Sequence, residues 1–139
     1  GMDRNEIQSA TPTPTTQLCW DAWMGLMSNC HWLLGLIANT CSERVNVPGY
    51  GVGPMREKGW FGVVHYIWRD MWDLTDGEAK LFKLHTDADL EHSDLGWNTV
   101  AKYAEEYGLV DEVVEACRRN LVVWETYFNG ICDDGDALN

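Results

Sequence analysis

An almost uninterrupted apolar stretch from Gln17 to Ser42 is what most constrains how this 139-residue chain folds. Leu18, Trp20, Trp23, Leu26, Met27, Leu33, Leu34 and Ile37 recur there at helical spacing over a broad face. A helix that is apolar nearly all round has to be central, with the other elements packed over it. Three further helices are predicted. One runs from Gly59 to Trp72 with Phe61, Val64, Ile67, Trp68 and Met71 turned inward. The next opens at Asp76, inside the capping pattern Thr75-Asp-Gly-Glu78, and continues to Tyr107 with a bend near Gly96 before Gly108 ends it. The last spans Val110 to Asn129, sets Val113, Val114, Cys117, Leu121, Trp124 and Phe128 against the core, and is closed by Gly130. No alternating strand pattern competes, so the expected class is all-α, a bundle of four main helices over residues 17–131. An extended arm over residues 1–16, mixing Pro and Thr, precedes it, and an acidic tail over residues 132–139 frays after it. The stretch Val45 to Pro54, with three Gly and two Pro, is a long loop of the kind that often carries function.

This length suits one domain with a small core. A hydrophobic content of 45% with eight Trp excludes a disordered chain. The net charge of −12 would be repelled by a nucleic-acid backbone or an anionic membrane, so neither is an expected partner. The longest apolar run, Trp32 to Ala38, is far too short to span a bilayer. The N-terminus lacks the basic-then-apolar order of a signal peptide, and Gly1-Met2 reads as a remnant ahead of the native start. The five cysteines are odd in number and form no CxxC pair. Cys19, Cys30 and Cys41 recur every eleven residues along one helical stripe, too far apart to pair with each other. All five read as small buried thiols of a reducing compartment, which places the chain in the cytoplasm.

The chemistry concentrates in His85-Thr-Asp-Ala-Asp89-Leu-Glu-His92. His85, Asp89 and His92 stand at i, i+4 and i+7, which stacks two imidazoles and a carboxylate on one helical face. Helical bundles hold iron, manganese or zinc in their cores with such side chains. The bland alternative is a polar stripe on an exposed helix, in keeping with Asp87, Glu91 and Asp94 alongside. Two of only four histidines (His31, His65, His85, His92) meeting in one motif favours the metal.

The segments Leu74-Thr-Asp-Gly-Glu-Ala79, Phe82-Lys-Leu-His85, Asp89-Leu-Glu-His92-Ser-Asp-Leu-Gly96 and Trp124-Glu-Thr-Tyr-Phe-Asn-Gly-Ile131 together resemble the C-terminal part of the heme-oxygenase-like diiron oxidases. That group includes the chlamydial death-domain-associating protein and the iron-containing redox enzymes, and shares its fold with the TenA thiaminases and the PQQ-synthesis protein. The resemblance implies a heme-oxygenase-like bundle shortened at its N-terminus. Three of the family's six metal ligands, in the pattern His-x3-Asp-x2-His, carry over onto His85, Asp89 and His92. A fourth, a Glu near the end of the preceding long helix, is best matched by Glu43, five residues ahead of Pro48, with His31 a distant rival. The family's remaining Glu and His have no counterpart before Glu43, and Glu57 and His65, eight apart, fall on the wrong side of the motif.

What the resemblance implies is iron, one or two ions with manganese possible, and O2-dependent oxidation of a small organic substrate; four available ligands favour one ion per chain over two. Two other classes stay open. One is a non-catalytic binding or regulatory module with a vestigial metal site; the other is a cofactor-free ligand binder of the TenA or PQQ-synthesis sort. The missing opening helices leave the Gln17 to Ser42 helix uncovered, which implies a homodimer whose two chains complete each other's bundle.

Overall fold

The apolar stretch that dominates the sequence folds as two helices. The computed structural model describes residues 3–29, 31–50 and 53–136. Among these, six α-helices follow one another: α1 (Arg4–Ser9), α2 (Pro14–Asn29), α3 (Trp32–Arg44), α4 (Pro54–Tyr66), α5 (Lys80–Glu106) and α6 (Val110–Asp136). A short π-helical turn, Ile67–Met71, extends α4, and no strand occurs among the described residues. None of these helices is long and apolar enough to cross a membrane.

The predicted single helix from Gln17 to Ser42 is interrupted between Asn29 and Trp32. Ser28 and Asn29 are weak helix formers. Past them, His31 caps α3 by accepting the Leu33 N–H at Nδ1, 3.3 Å away. That imidazole satisfies a donor that the first turn of a helix leaves free.

The expectation of a central, covered helix is met by most of α3, though Trp32 at its start is exposed, and fails for α2. Helix α3 packs against α2, α5 and α6, and its Leu33, Ile37 and Ala38 are fully buried. Helix α2 touches only α3 and α6, leaving Leu18, Trp20, Met24 and Met27 exposed. The core joins Leu33 and Ile37 of α3 to Val100 and Ala104 of α5 and to Val113 and Ala116 of α6. Each large aliphatic side chain buried there contributes about 1.5–3 kcal/mol.

Other boundaries shift for local reasons. The arm expected to be extended contains α1, whose N-cap Asp3 accepts the Asn5 N–H while its own N–H donates to Glu6. Gly59, expected to open the second helix, lies inside α4 at φ +70°, in a kink where a methyl group would collide with the Asn46 carbonyl. Met71 at the end of the π turn is exposed, although its spacing placed it inward. The Thr75/Glu78 box forms, with Thr75 N–H donating to Glu78 Oε2 at 2.9 Å, but it closes a turn and α5 starts at Lys80. Gly77 within the box is a poor helix former.

At the other end of α5 the expected stop is observed: Gly108 takes φ +64° and the Leu109 N–H donates to the Ala104 carbonyl at 2.8 Å. Helix α6 runs past Gly130 to Asp136, so the tail expected to fray is helical over most of its length. Gly130 marks a close approach to Thr15 of α2 rather than a helix end. The buried stripe of α6 is Val113, Ala116 and Asn120, whereas Val114 and Leu121 face outward.

A polar knot ties α3 to α6. Ser42 Oγ accepts Asn120 Nδ2–H at 3.0 Å and Trp124 Nε1–H at 2.7 Å while donating to the Ala38 carbonyl. On the opposite side, α5 approaches α3 through Gly96, where a Cβ would run into the Thr40 hydroxyl. Helix α5 runs without interruption through Gly96, where the glycine serves close packing. Gly96→Ala should therefore push α5 away from α3 and cost about 1–3 kcal/mol. A lower urea midpoint with unchanged slope is the expected outcome; an unchanged midpoint would show that Thr40 yields freely.

Candidate metal centre

The contact at Gly96 brings one face of α5 against the C-terminal end of α3, and three of the four predicted ligands meet there. Glu43, Asp89 and His92 each offer a ligand atom within 4.8 Å of the other two. Asp89 and His92 stand one turn apart on α5, and Glu43 comes from the last turn of α3. An ion pair between the same two helices, Arg44 Nη2 to Asp94 Oδ1 at 2.7 Å, braces the approach.

The three side chains differ sharply in environment. Asp89 is 3% exposed, and its Oδ2 accepts a hydrogen bond from Asn46 Nδ2 at 2.8 Å. The Glu43 side chain is 22% exposed and that of His92 61%, with His92 Nδ1 lying 3.8 Å from Glu43 Oε1. Asn39 Nδ2 donates to the same Glu43 oxygen at 3.0 Å. The result is a shallow site with a carboxylate at its floor and an imidazole at its rim. A buried carboxylate is costly unless it is hydrogen-bonded and paired with positive charge. Asn46 supplies a hydrogen bond but no charge, and a cation held between Asp89, Glu43 and His92 would supply it.

The donor set fits one divalent ion. Ligand atoms bound to a single ion by bonds of about 2.0–2.2 Å lie no more than about 4.4 Å apart. Separations of up to 4.8 Å mean that the three side chains would have to close around an ion to share it. One imidazole and two carboxylates suit Fe(II) or Mn(II), and a three-residue set leaves coordination positions open.

His85 is not among the residues brought together. Its side chain is exposed, its Nδ1 lies 3.0 Å from the Leu81 carbonyl, and its ring sits 5.1 Å from that of Phe61 on α4. It shares the Asp89 face of the helix, but its imidazole is engaged by its own backbone and by an aromatic neighbour. His31 is committed to capping α3 and packs its ring edge against Tyr107. Glu57 is exposed, and His65 lines a separate cleft of about 290 Å³ with Arg69 and Lys83.

Two amides that hold the carboxylates were missed in the sequence. Asn39 had a signal, since it stands four residues before Glu43 on the same helix. Asn46 had none, because its reach to Asp89 depends on how the loop after α3 turns back.

The thiols also differ from expectation. Cys132 is exposed, Cys19 and Cys41 are buried, Cys117 is partly buried, and Cys30 lies outside the described residues. Cys41 and Cys117, from α3 and α6, have their sulfurs 2.7 Å apart. Burial foremost, and then the Cys117 contact, pushes the Cys41 thiol well above its ordinary range.

No protein-family model, curated protein or solved structure matches this chain. The site therefore stands on its own geometry.

Asn46→Ala should remove the donor that holds Asp89 and leave a buried carboxylate oxygen unsatisfied, at a cost of about 1–3 kcal/mol. Asn39→Ala, next to the more exposed Glu43, should cost less. Chemical denaturation of both variants checks the order, and equal losses would contradict the burial argument.

Proposed function

We propose that Glu43, Asp89 and His92 bind one Fe(II) or Mn(II) ion and that the protein is a non-heme oxidase or oxygenase. In this reading it acts with O2 on a small organic substrate, in a shortened bundle of the heme-oxygenase-like kind. The observation that carries it is the convergence of two carboxylates and an imidazole from helices far apart in the chain. A bound ion would supply Lewis acidity and access to one-electron chemistry. The protein's part is positional. Asn46 fixes the Asp89 carboxylate, Asn39 fixes that of Glu43, and His92 at the rim leaves the solvent side open to a small substrate. Second-shell amides of this type hold ligands in their binding orientation. The reading retains the expected homodimer, with exposed Leu18, Trp20, Met24 and Met27 of α2 as the face a second copy would cover.

One observation favours the second reading, a non-catalytic module with a vestigial site. Oxygen chemistry is protected by excluding water, yet the His92 side chain is 61% exposed. Turnover separates the two readings.

Anaerobic titration of the full chain with Fe(II) or Mn(II) tests the site. Asp89→Asn and His92→Ala should each weaken binding by at least about 10–100-fold, because three ligands leave no spare. Glu43→Gln should behave in the same way. His85→Ala should leave affinity nearly unchanged, and its loss of binding would restore the four-ligand set expected from the motif. A wild-type chain that takes up neither metal refutes the site. One that binds iron but consumes no O2 with small amines or acids supports the non-catalytic module.

A further inference from the structure

Among the described residues, two sulfurs meet away from the candidate metal site. Cys41 Sγ on α3 and Cys117 Sγ on α6 lie 2.7 Å apart, from positions 76 residues apart in the chain. Non-bonded heavy atoms normally rest at about 3.5–4.0 Å, whereas a disulfide requires about 2.05 Å. Helix packing has therefore already carried this pair most of the way to bonding distance. We propose that Cys41 and Cys117 form a modification site, a reversible disulfide made by a hydroperoxide that cross-links α3 to α6.

The different burial of the two thiols sets their roles. Cys117 is partly buried, and Cys41 is buried in the core beside Ile37 and Leu33. The oxidant reaches Cys117 first. Its thiolate attacks the peroxide oxygen, the O–O bond breaks, and the products are a sulfenic acid and hydroxide. The Cys41 sulfur then attacks the sulfenic sulfur, its thiol proton passes to the departing oxygen, the S–O bond breaks, and water leaves as the S–S bond forms. In sum, two thiols and one hydrogen peroxide give one disulfide and two waters, with the thiols oxidised by two electrons and the peroxide reduced by two. Because the partner sulfur is already in contact, the sulfenic acid is captured before it can oxidise further.

The consequence is mechanical. The bond would pin the C-terminal half of α3, which the Ser42 knot already ties to α6, and close a long loop of chain. Cross-links over long loops stabilise chiefly by restricting the unfolded chain. Cys41 precedes Glu43 by two residues on the same helix, but the proposal stands without the metal reading.

The full chain, reduced and freed of reductant, is treated with equimolar hydrogen peroxide and compared with the untreated protein. The expected result is loss of two thiols per chain in denaturant, a peptide map containing Cys41 joined to Cys117, and a Tm raised by about 10 °C. Dithiothreitol should restore the original Tm. In Cys117→Ala, peroxide should produce neither the linked peptide nor the shift; this less buried position is the variant least apt to disturb folding. Peptide mapping of the wild type decides the matter even if Cys117→Ala does not fold. Oxygen added to one cysteine without a cross-link, a cross-link to Cys19, Cys30 or Cys132, a bond between chains, or no loss of thiol would each overturn the proposal.

Discussion

Burial of α3 is the constraint on which the other helices depend. Its Leu33, Ile37 and Ala38 are inaccessible to solvent, and covering them takes α2, α5 and α6 together. Each neighbour meets α3 at a different price in shape. Helix α5 comes close enough that position 96 must lack a side chain, since Thr40 fills the space a methyl would need. Helix α6 meets α3 through Ser42, which gathers two side-chain donors from Asn120 and Trp124 onto one hydroxyl. Interiors packed to crystal-like density transmit such choices directly into the spacing of the helices.

That spacing is what creates the candidate site. Glu43 lies one turn beyond Thr40 along α3, and His92 lies one turn before Gly96 along α5. The close contact at Thr40 and Gly96 thus holds the two ends of the ligand set at working distance. The Arg44–Asp94 pair continues the same seam toward solvent. Exposure rises across the site, from the buried Asp89 to the open His92. One buried and one half-buried carboxylate, each held by an amide, beside an accessible imidazole would suit an ion that must keep open positions.

The same core leaves some polar groups in poor company. Trp23 Nε1, Arg44 Nε and Asn120 Oδ1 are buried without a hydrogen-bond partner among the described residues. An unsatisfied buried group costs about 1–3 kcal/mol. Asn120 and Arg44 both belong to the contacts that fix α3, so specificity of helix placement is obtained here at some expense of stability. Uncovered apolar side chains on α2 add to the impression of a bundle held together chiefly around one helix.

Local chemistry along the chain was enough to determine the helical class, the end of α5 at Gly108 and the shared register of Asp89 and His92. Helical periodicity and a glycine in left-handed conformation depend on near neighbours only. Glu43 entered as an expected ligand only through the family resemblance, not through local chemistry. Tertiary structure decided the rest. Whether Gln17 to Ser42 was one helix turned on a cap at His31, which no periodicity reveals. Which of Val113, Val114 and Leu121 faced inward depended on where α2 and α3 lay, since the sequence offers apolar residues on both sides of α6. His85 shares a face with Asp89 on paper, but Phe61 and the Leu81 carbonyl claim it. Asn46 reaches Asp89, and Cys41 reaches Cys117, only because distant segments are packed together, and contact between residues remote in the chain is a property of the fold rather than of local sequence.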